Sequence, residues 1–314
     1  MLKARLYNGD GTPAVGFNDR IAQWLEGRLA LREHKTPRAF EGLRKKYASE
    51  LARLEEKGKN TWAAHRALLS NLTNIMFGID VTTELRTRLS PELINPTGFR
   101  RTIDQGAAKN AGENFSNMIV WALADALRGQ DEVLVDKGLP RFLQDVLTMQ
   151  RRFRGVKYNR DLGLTIEGDL VVFSRDNPLN AIVVSGKTRL KEIFHVGTMW
   201  KLFFDMLDDK YCLRKWGLVR ASKASLKDFL YVFATADMIP AGGRKTQGPD
   251  VEREFPRNLI ALDASFFDYV FVSKEQIAHV ANSLQFGAPR EALFHDLGCL
   301  LDLVCQKFRI RLKG

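Results

Sequence analysis

The clearest helical pattern in the chain lies between residues 107 and 128. Apolar residues recur there at intervals of three and four, which places them along one face of a helix. Gly129 then supplies a stop signal. The stripe consists of Phe115, Met118, Ile119, Ala122, Leu123, Ala126 and Leu127. We therefore predict an amphipathic helix that begins near Ala107 and packs against a core.

From Leu164 onward the pattern changes to short β-type runs. LTIEGDLVVF and AIVVS are separated by the turn residues SRDNPLN, which predicts a hairpin. A helical stripe follows from Leu190 to Leu207, and DFLYVFATA and DYVFVS predict two more strands. PRFLQDVLTMQRRF, KEQIAHVANSL and PREALFHDLGCLLDLVCQKF predict helices. This order predicts a mixed α/β fold with a central mixed β-sheet flanked by helices.

Helix formers and alternating charges fill residues 15–90, with one break at Pro37. We expect a mainly helical N-terminal region over residues 1–105 and a second domain over residues 106–314. The helical region is either a solvated layer or an arm that contacts phosphates or supports dimerisation.

The charge balance favours a polyanionic partner. Lys and Arg number 48 against 37 Asp and Glu, a formal net charge of +11, which makes nucleic acid the first candidate. The three cysteines lack C-x-x-C spacing, so we expect reduced thiols and neither a disulfide framework nor a zinc site. No apolar run approaches the roughly 18 residues of a membrane span, and the first residues lack a signal-peptide stretch. We expect no membrane partner and a cytoplasmic protein.

Three residues of the predicted hairpin suit phosphodiester hydrolysis. That reaction needs a divalent metal to polarise the phosphoryl group and a cation to stabilise the developing charge. Asp169 opens the first strand, and Ser185 and Lys187 close the second. Antiparallel pairing brings these strand ends together, and residues two apart share a face. Because Mg²⁺ binds one or two carboxylates and several waters, the hairpin predicts a Mg²⁺-dependent site.

The segment GDLVVFSRDNPLNAIVVSGKTRLKE resembles the active-site hairpin of the PD-(D/E)xK nuclease superfamily. The likeness is strongest to type II restriction endonucleases with an S-x-K motif, and element order extends it loosely through the C-terminal domain. The resemblance implies that Asp169 binds metal, that Lys187 is the catalytic lysine and that Ser185 replaces the usual second acid. It also implies a restriction-endonuclease-like core. One departure is Gly168, where relatives often carry proline.

The resemblance leaves the further metal ligand open. Relatives with this serine often supply a carboxylate thirteen or fourteen residues after the lysine, where this chain has Trp200 and Lys201. Glu192, the nearest acid on that helix, is our substitute ligand. Relatives also carry a glutamate on the helix before the hairpin, which implies Glu113, although the helix dipole alone explains an acid in a first turn. Glu167, two residues before the metal-binding aspartate, is a spare candidate.

Charged residues after the motif are candidates for DNA contact. In relatives the charged pair after the lysine often contacts bases, which implies this role for Lys191 and Glu192, next to Arg189. The polar loop GGRKTQG carries Arg244 and Lys245, which suit phosphate or groove contacts as well as an ordinary connector.

Other interpretations explain less of the sequence. SGKT suggests a P-loop, but that motif needs glycine where the chain has Ala181, so we expect no nucleotide cofactor. A non-enzymatic basic DNA-binding protein explains the charge alone. A repair, recombination or structure-specific nuclease of the same superfamily would share the catalytic residues. Our hypothesis is a type II restriction endonuclease that hydrolyses double-stranded DNA with Mg²⁺. We expect a homodimer, because two-fold-related sites cut both strands of a symmetric sequence.

Overall fold

A computed structural model describes residues 6–31, 37–77, 98–152, 161–187, 194–220, 222–236, 262, 264–273, 280–281, 284–287, 292 and 294–310. The helices within these ranges are α1 (Phe17–Leu31), α2 (Pro37–Glu56), α3 (Thr61–Ser70), α4 (Leu72–Phe77), α5 (Gly98–Ala126), α6 (Arg141–Val146), α7 (Phe194–Asp208), α8 (Lys210–Lys215) and α9 (Cys299–Phe308). The strands are β1 (Val133–Lys137), β2 (Thr148–Arg152), β3 (Asp161–Thr165), β4 (Leu170–Ser174), β5 (Ala181–Lys187), β6 (Leu218–Arg220), β7 (Phe229–Thr235), β8 (Val270–Val272), β9 (Val280–Ala281) and β10 (Phe294–Asp296).

Seven strands form one mixed sheet in the order β1-β4-β5-β7-β8-β10-β9. β4 runs antiparallel to its neighbours β1 and β5, whereas β5, β7, β8, β10 and β9 run parallel to one another. The carboxyl ends of β5, β7, β8 and β10 therefore share one edge of the sheet with the amino end of β4. A smaller antiparallel sheet, β3-β2-β6, leads into the main sheet through residues 166–169.

Helices cover both faces of the central sheet. α5 packs on one face, where Gly186 leaves room for it: a Cβ at this glycine would lie 2.9 Å from Ser116 Oγ. α7 packs on the other face, where a Cβ on Gly197 would lie 3.3 Å from the ring of Phe233. Because both faces are covered, the side chains of β4 and β5 form almost continuous buried runs. The mixed α/β fold with a central mixed sheet and flanking helices is confirmed.

The N-terminal helices share one hydrophobic core with the sheet. The Asn18 side chain, in the first turn of α1, donates to the Val133 carbonyl at 2.8 Å and accepts from the Val135 N–H at 3.0 Å. These bonds attach α1 to β1. α5 is continuous through residues 105 and 106, so one helix belongs to both of the regions distinguished in the sequence.

The sequence analysis placed several elements correctly. The hairpin is formed by β4 and β5, and the two later strand predictions correspond to β7 and β8. The predicted run LTIEGDLVVF is not one strand, because it is divided between the end of β3, in the smaller sheet, and β4. The apolar stripe around Phe115 lies in α5, but this helix begins at Gly98 and not near Ala107. It is buried on all sides over residues 114–124, so it is not amphipathic there. The stripe after the hairpin lies in α7, although residues 190–193 fall outside the described ranges. β1 was not predicted, because only three consecutive apolar residues mark it.

Three helix predictions are wrong in part. PRFLQDVLTMQRRF forms the short helix α6 and then strand β2, which pairs with β3 on one side and β6 on the other. Val280–Ala281 is β9, and Phe294–Asp296 is β10, which pairs with both β8 and β9. The backbone hydrogen bonds of sheet pairing override local helix preference at these places. Residues 274–279 and 282–283 lie outside the described part of the chain.

The cysteines are free thiols, as the spacing predicted. Burial raises the pKa of Cys299 and of Cys305 to about 12, so both thiols stay protonated at neutral pH. Among the helices that the structure describes, none combines the length and the apolar character needed to cross a membrane.

Candidate active site

Asp169 and Lys187 meet at the corner of the sheet where β4 begins and β5 ends. Lys187 Nζ donates to Asp169 Oδ2 at 3.0 Å, and the Gly186 N–H donates to the same oxygen at 2.8 Å. The Asp169 N–H donates to the Val184 carbonyl at 2.9 Å, which extends the hairpin ladder beyond the strand end. The hairpin thus places the acid directly beside the lysine, in the arrangement expected from its sequence.

The charged pair is partly exposed to solvent. The Asp169 side chain is 33% exposed and the Lys187 side chain 26%. Ion pairs in such positions contribute only about 0–1 kcal/mol to stability, so the fold does not depend on this one. Both hydrogen bonds found among the described residues go to Asp169 Oδ2, which leaves Oδ1 as an acceptor for a cation.

Ser185 is buried behind the pair and connects it to β7. Its hydroxyl hydrogen-bonds the Tyr231 hydroxyl, which in turn donates to the Glu167 carbonyl at 2.8 Å. Burial raises the pKa of Tyr231 and outweighs the opposing effect of Ser185, so the phenol remains a donor. This chain of hydrogen bonds fixes the backbone two residues before Asp169.

Glu113 reaches the same corner through a second lysine. Its Oε1 lies 3.4 Å from Nζ of Lys137, the last residue of β1. The next residue, Gly138, has φ +77°, a conformation that favours glycine, and donates its N–H to the Asp169 carbonyl at 2.9 Å. Glu113 is therefore linked to the backbone of Asp169 through Lys137 and Gly138 at the end of β1. The carboxylate of Glu113 is paired with Lys137.

The donors present are compatible with a Mg²⁺ ion that keeps most of its water ligands. In the described part of the chain, no three His, Cys, Asp or Glu side chains converge on one point. Mg²⁺ is commonly held by one or two carboxylates with water completing the octahedron. Asp169 supplies one such carboxylate with a free oxygen, and Glu113 is the described acid linked to it.

Position 201 holds a buried lysine where the resemblance implies an acid. Lys201 pairs with Asp205 and lies 3.5 Å from Asp268 Oδ1. The Tyr231 N–H donates to Asp268 Oδ2 at 2.7 Å. Burial raises the pKa of Asp268, and the nearby Lys201 opposes that rise. These contacts attach α7 to β7, so this part of α7 has a structural role.

Gly168, at the position where the resemblance implies proline, is explained by packing. A Cβ at this position would lie 2.6 Å from Val183 Cγ1 on the neighbouring strand. Valine is branched at Cβ and stiff, so its methyl group does not move aside easily. Glycine therefore lets the chain enter β4 close against β5.

The other candidate residues fall outside the part of the chain that the structure describes. They are Arg189, Lys191 and Glu192 after the motif, and Arg244 and Lys245 in the later loop. Glu167 is described: its side chain is exposed and its carbonyl accepts from Tyr231.

Sequence reasoning missed two residues that support the site. Lys137 would have been found by recognising β1, since it ends the strand VLVDK immediately before a glycine. Tyr231 lies in a strand that was predicted, but its contact with Glu167 joins residues 64 apart in the chain. No local pattern signals a contact of that range.

No protein-family model matches the chain, and no curated protein matches it. Among solved structures, the chain is similar to one titled as a restriction endonuclease PspGI–substrate DNA complex. The two chains share 11% identity over 93% of each, with a TM-score of 0.41. A likeness of that size decides neither activity nor substrate, so the functional assignment rests on the residues of this chain.

Proposed function

We propose that the protein is a Mg²⁺-dependent endonuclease of the type II restriction class that hydrolyses double-stranded DNA. The observation that carries the proposal is the partly exposed pair of Asp169 and Lys187, 3.0 Å apart at the junction of an antiparallel hairpin. The net charge of +11 supports a polyanionic substrate. A binding protein without catalytic activity has no need for an acid and a lysine held in this way.

Each residue of the corner has a distinct role in this proposal. Lys187 orients the attacking water and stabilises the negative charge that grows on the phosphoryl oxygens. The Gly186 N–H holds the Asp169 carboxylate in place at 2.8 Å. Ser185 keeps its position through Tyr231 and does not touch the phosphate. These groups are fixed by the sheet before substrate arrives, which is the condition for effective electrostatic stabilisation.

Asp169 would hold the Mg²⁺ ion, with Glu113 or Glu192 as the second acid. Bound there, Mg²⁺ would polarise the phosphoryl group and lower the pKa of a bound water. Lys137, which pairs with Glu113, sets how readily that carboxylate turns toward a metal.

The remaining assignments follow from the sequence. Arg189, Lys191 and Glu192 read bases, and Arg244 and Lys245 contact phosphates or the groove. The protein acts as a homodimer in the cytoplasm, because a two-fold axis presents one active site to each strand of a symmetric target.

Cleavage of a long DNA of known sequence tests the proposal. The wild-type protein is incubated with this DNA in Mg²⁺ and in EDTA, alongside Lys187→Ala and the control Lys227→Ala. Lys227 is exposed and lies at the opposite edge of the sheet, just before β7. We expect discrete Mg²⁺-dependent fragments with the wild type and the control, and none with Lys187→Ala, which should still bind DNA.

Other outcomes would reject parts of the proposal. Wild-type cutting by Lys187→Ala would remove this lysine from the mechanism. A smear of fragments would indicate a repair or structure-directed nuclease without a fixed sequence. Intact DNA that nevertheless shifts on a gel would indicate a DNA-binding protein without nuclease activity.

A further inference from the structure

One exposed stripe, distant in sequence from the catalytic hairpin, combines cations with aromatic rings. Along α8, Lys210 and Arg214 are four residues apart, as are Tyr211 and Lys215, so these side chains lie on one side of the helix. Trp216 follows at its end. All five are exposed, whereas Leu213 is buried beneath them. We call these five residues the basic-aromatic surface.

The cations of the basic-aromatic surface are not neutralised by neighbouring acids. Residues 208–220 contain four Lys or Arg and only two acids. Asp208 pairs with Arg220 at 3.0 Å, and Asp209 caps α8 by accepting from the Tyr211 and Cys212 N–H groups. Both acids are therefore engaged elsewhere. No ion pair found in the described part of the chain involves Lys210, Arg214 or Lys215.

The two aromatic residues are held away from the core. Tyr211 is 73% exposed and Trp216 is 61% exposed. The backbone N–H of Trp216 donates to the Cys212 carbonyl at 3.1 Å, and Gly217, with φ +63°, turns the chain away from the helix directly afterwards. The backbone on either side of the indole is thus fixed while its ring faces solvent. Large rings exposed in this way mark interaction surfaces more often than scattered aliphatic residues do.

Cations interleaved with exposed rings fit a nucleic-acid backbone better than an acidic protein. Lys and Arg contact phosphate oxygens, a tyrosine hydroxyl donates to them, and an exposed ring packs against the apolar face of a sugar. Charge complementarity with DNA is strong, because a duplex carries one negative charge per about 1.7 Å of its axis.

The fold connects this surface to the catalytic corner. α8 leads through two residues into β6, which pairs with β2, and β2 pairs with β3. β3 ends four residues before Asp169, a link that spans at most about 14 Å. Crossing the small sheet from β3 to β6 adds about 10 Å. The stretch along β3 from Leu162 to Thr165 adds about 10 Å, and that from Trp216 to Leu218 about 7 Å. The whole route is therefore at most about 41 Å, little more than one turn of B-DNA, about 34 Å.

We propose that the basic-aromatic surface binds the phosphate backbone of the DNA duplex that flanks the cleavage point. The inference rests on the proposed function for its choice of substrate. It adds a contact region outside the catalytic hairpin and its loops, and it explains why these charges and rings stay unpaired in the free protein.

The test compares two double variants in the non-cutting Lys187→Ala background. Arg214→Gln/Lys215→Gln removes two charges from the basic-aromatic surface. The control, Lys227→Gln/Arg309→Gln, removes two exposed charges at the opposite edge of the sheet, where Lys307 donates to the Asp228 carbonyl. Binding to a labelled duplex of about 30 base pairs, three helical turns, is measured by fluorescence anisotropy between about 50 and 200 mM salt.

We expect the surface variant to reduce the slope of log affinity against log salt by about two, since each phosphate contact contributes about 0.9. The control should leave the slope unchanged. Trp216→Ala should weaken binding but should also leave the slope unchanged, because it removes no charge. All substituted side chains are exposed, so the thermal midpoints of both double variants should match the parent.

An unchanged slope in the surface variant, or equal changes in variant and control, would overturn the proposal. A loss of affinity confined to single-stranded DNA would overturn it as well. The outcome is separable from that of the proposed function. Absence of cleavage by the wild-type protein, together with the expected slopes, would reject the nuclease and retain the DNA-binding surface.

Discussion

The two ends of one sheet edge use polar residues in opposite ways. At the open end, where β4 begins and β5 ends, Asp169 and Lys187 pair in partial contact with solvent. At the closed end, beyond β7, β8 and β10, polar groups are buried and engaged with α3 and α4. The Thr73 hydroxyl donates to the Ala236 carbonyl at 2.7 Å, and the Ser273 hydroxyl donates to the Leu69 carbonyl at 3.0 Å.

The contrast shows how to separate a functional polar cluster from a structural one on the same edge. At the closed end the Thr73, Ser273 and Asp296 side chains find partners within the protein, so those groups stabilise the attachment of the N-terminal helices. At the open end a carboxylate and an ammonium remain accessible, and their mutual contact adds little stability. Accessibility of the charged atoms, more than their position at strand ends, marks the candidate site.

The largest expected effect is at the open end. Asp169→Asn keeps the size of the side chain but removes the charge that would hold Mg²⁺. We expect cleavage to fall by at least about 10³-fold, since a metal contributes several kcal/mol to the transition state and each 1.36 kcal/mol is tenfold. Urea unfolding should show a stability change below about 1 kcal/mol. If Asp169→Asn cleaves DNA at the wild-type rate, or loses more than about 1 kcal/mol of stability, the open end does not differ from the closed end in the way proposed.

Glu113 is the residue that tests whether the open end includes a second acid beside Asp169. Glu113→Gln should lower the cleavage rate about 10-fold or more at limiting Mg²⁺, in line with the loss of a metal-supporting group. Raising the Mg²⁺ concentration should restore most of the rate, as measured in a Mg²⁺ titration. Glu192→Ala is the matched comparison. If Glu113→Gln does not respond to Mg²⁺ while Glu192→Ala does, Glu113 serves only the ion pair with Lys137.

At the closed end the expected effect is on stability. Thr73→Val removes the buried hydroxyl that bonds the Ala236 carbonyl, and leaving such a group without its donor costs about 1–3 kcal/mol. Thr198→Val is the control, because the buried Thr198 hydroxyl has no hydrogen-bond partner among the described residues. Chemical denaturation should show the control to be neutral or stabilised. Equal losses in both variants would mean that volume, and not hydrogen bonding, matters at residue 73.

The smallest expected effect concerns pH. Burial raises the pKa of Asp296, although hydrogen bonds from Ser70 and from the Gly298 N–H oppose the rise. The folded state therefore binds this proton more tightly than the unfolded state, and stability is lost as pH rises through the raised pKa. Asp296→Asn accepts the same bonds without titrating, so its stability relative to wild type should increase from about pH 4 to pH 7.

Urea unfolding across that pH range measures the effect of Asp296→Asn. Asp176→Asn, in the exposed turn between β4 and β5, is the control for the substitution itself. If the stability of wild type and of Asp296→Asn changes with pH in the same way, burial does not raise the pKa of Asp296.

Local order made the hairpin of β4 and β5 predictable from sequence. Asp169 and Lys187 are 18 residues apart, and alternation plus one turn determines how they pair. The closed end depends on contacts of another range: Thr73 and Ala236 are separated by 163 residues. No periodicity of hydrophobic residues reports such a contact, so the function of the N-terminal helices in closing the edge was not foreseen.

The misassigned segments show the same limit. Phe294–Asp296 precedes a strongly apolar helix, and its own residues do not mark a strand. It becomes β10 because β8 and β9 present unpaired backbone groups on either side. The short α6 ends where β2 finds two partners. Local preference is therefore decisive in α5, α7 and the hairpin, and weak where a short segment completes a sheet.

The close approach of Val183 to Gly168 has a consequence for the evolution of this hairpin. Since a Cβ at residue 168 and a branched side chain at residue 183 compete for one space, the two positions should covary among homologous chains. A homologue with proline or alanine at residue 168 should carry glycine, alanine or serine on the facing strand. A sequence search that requires proline at residue 168 would therefore overlook chains that, like this one, carry glycine at residue 168 and a branched side chain at residue 183.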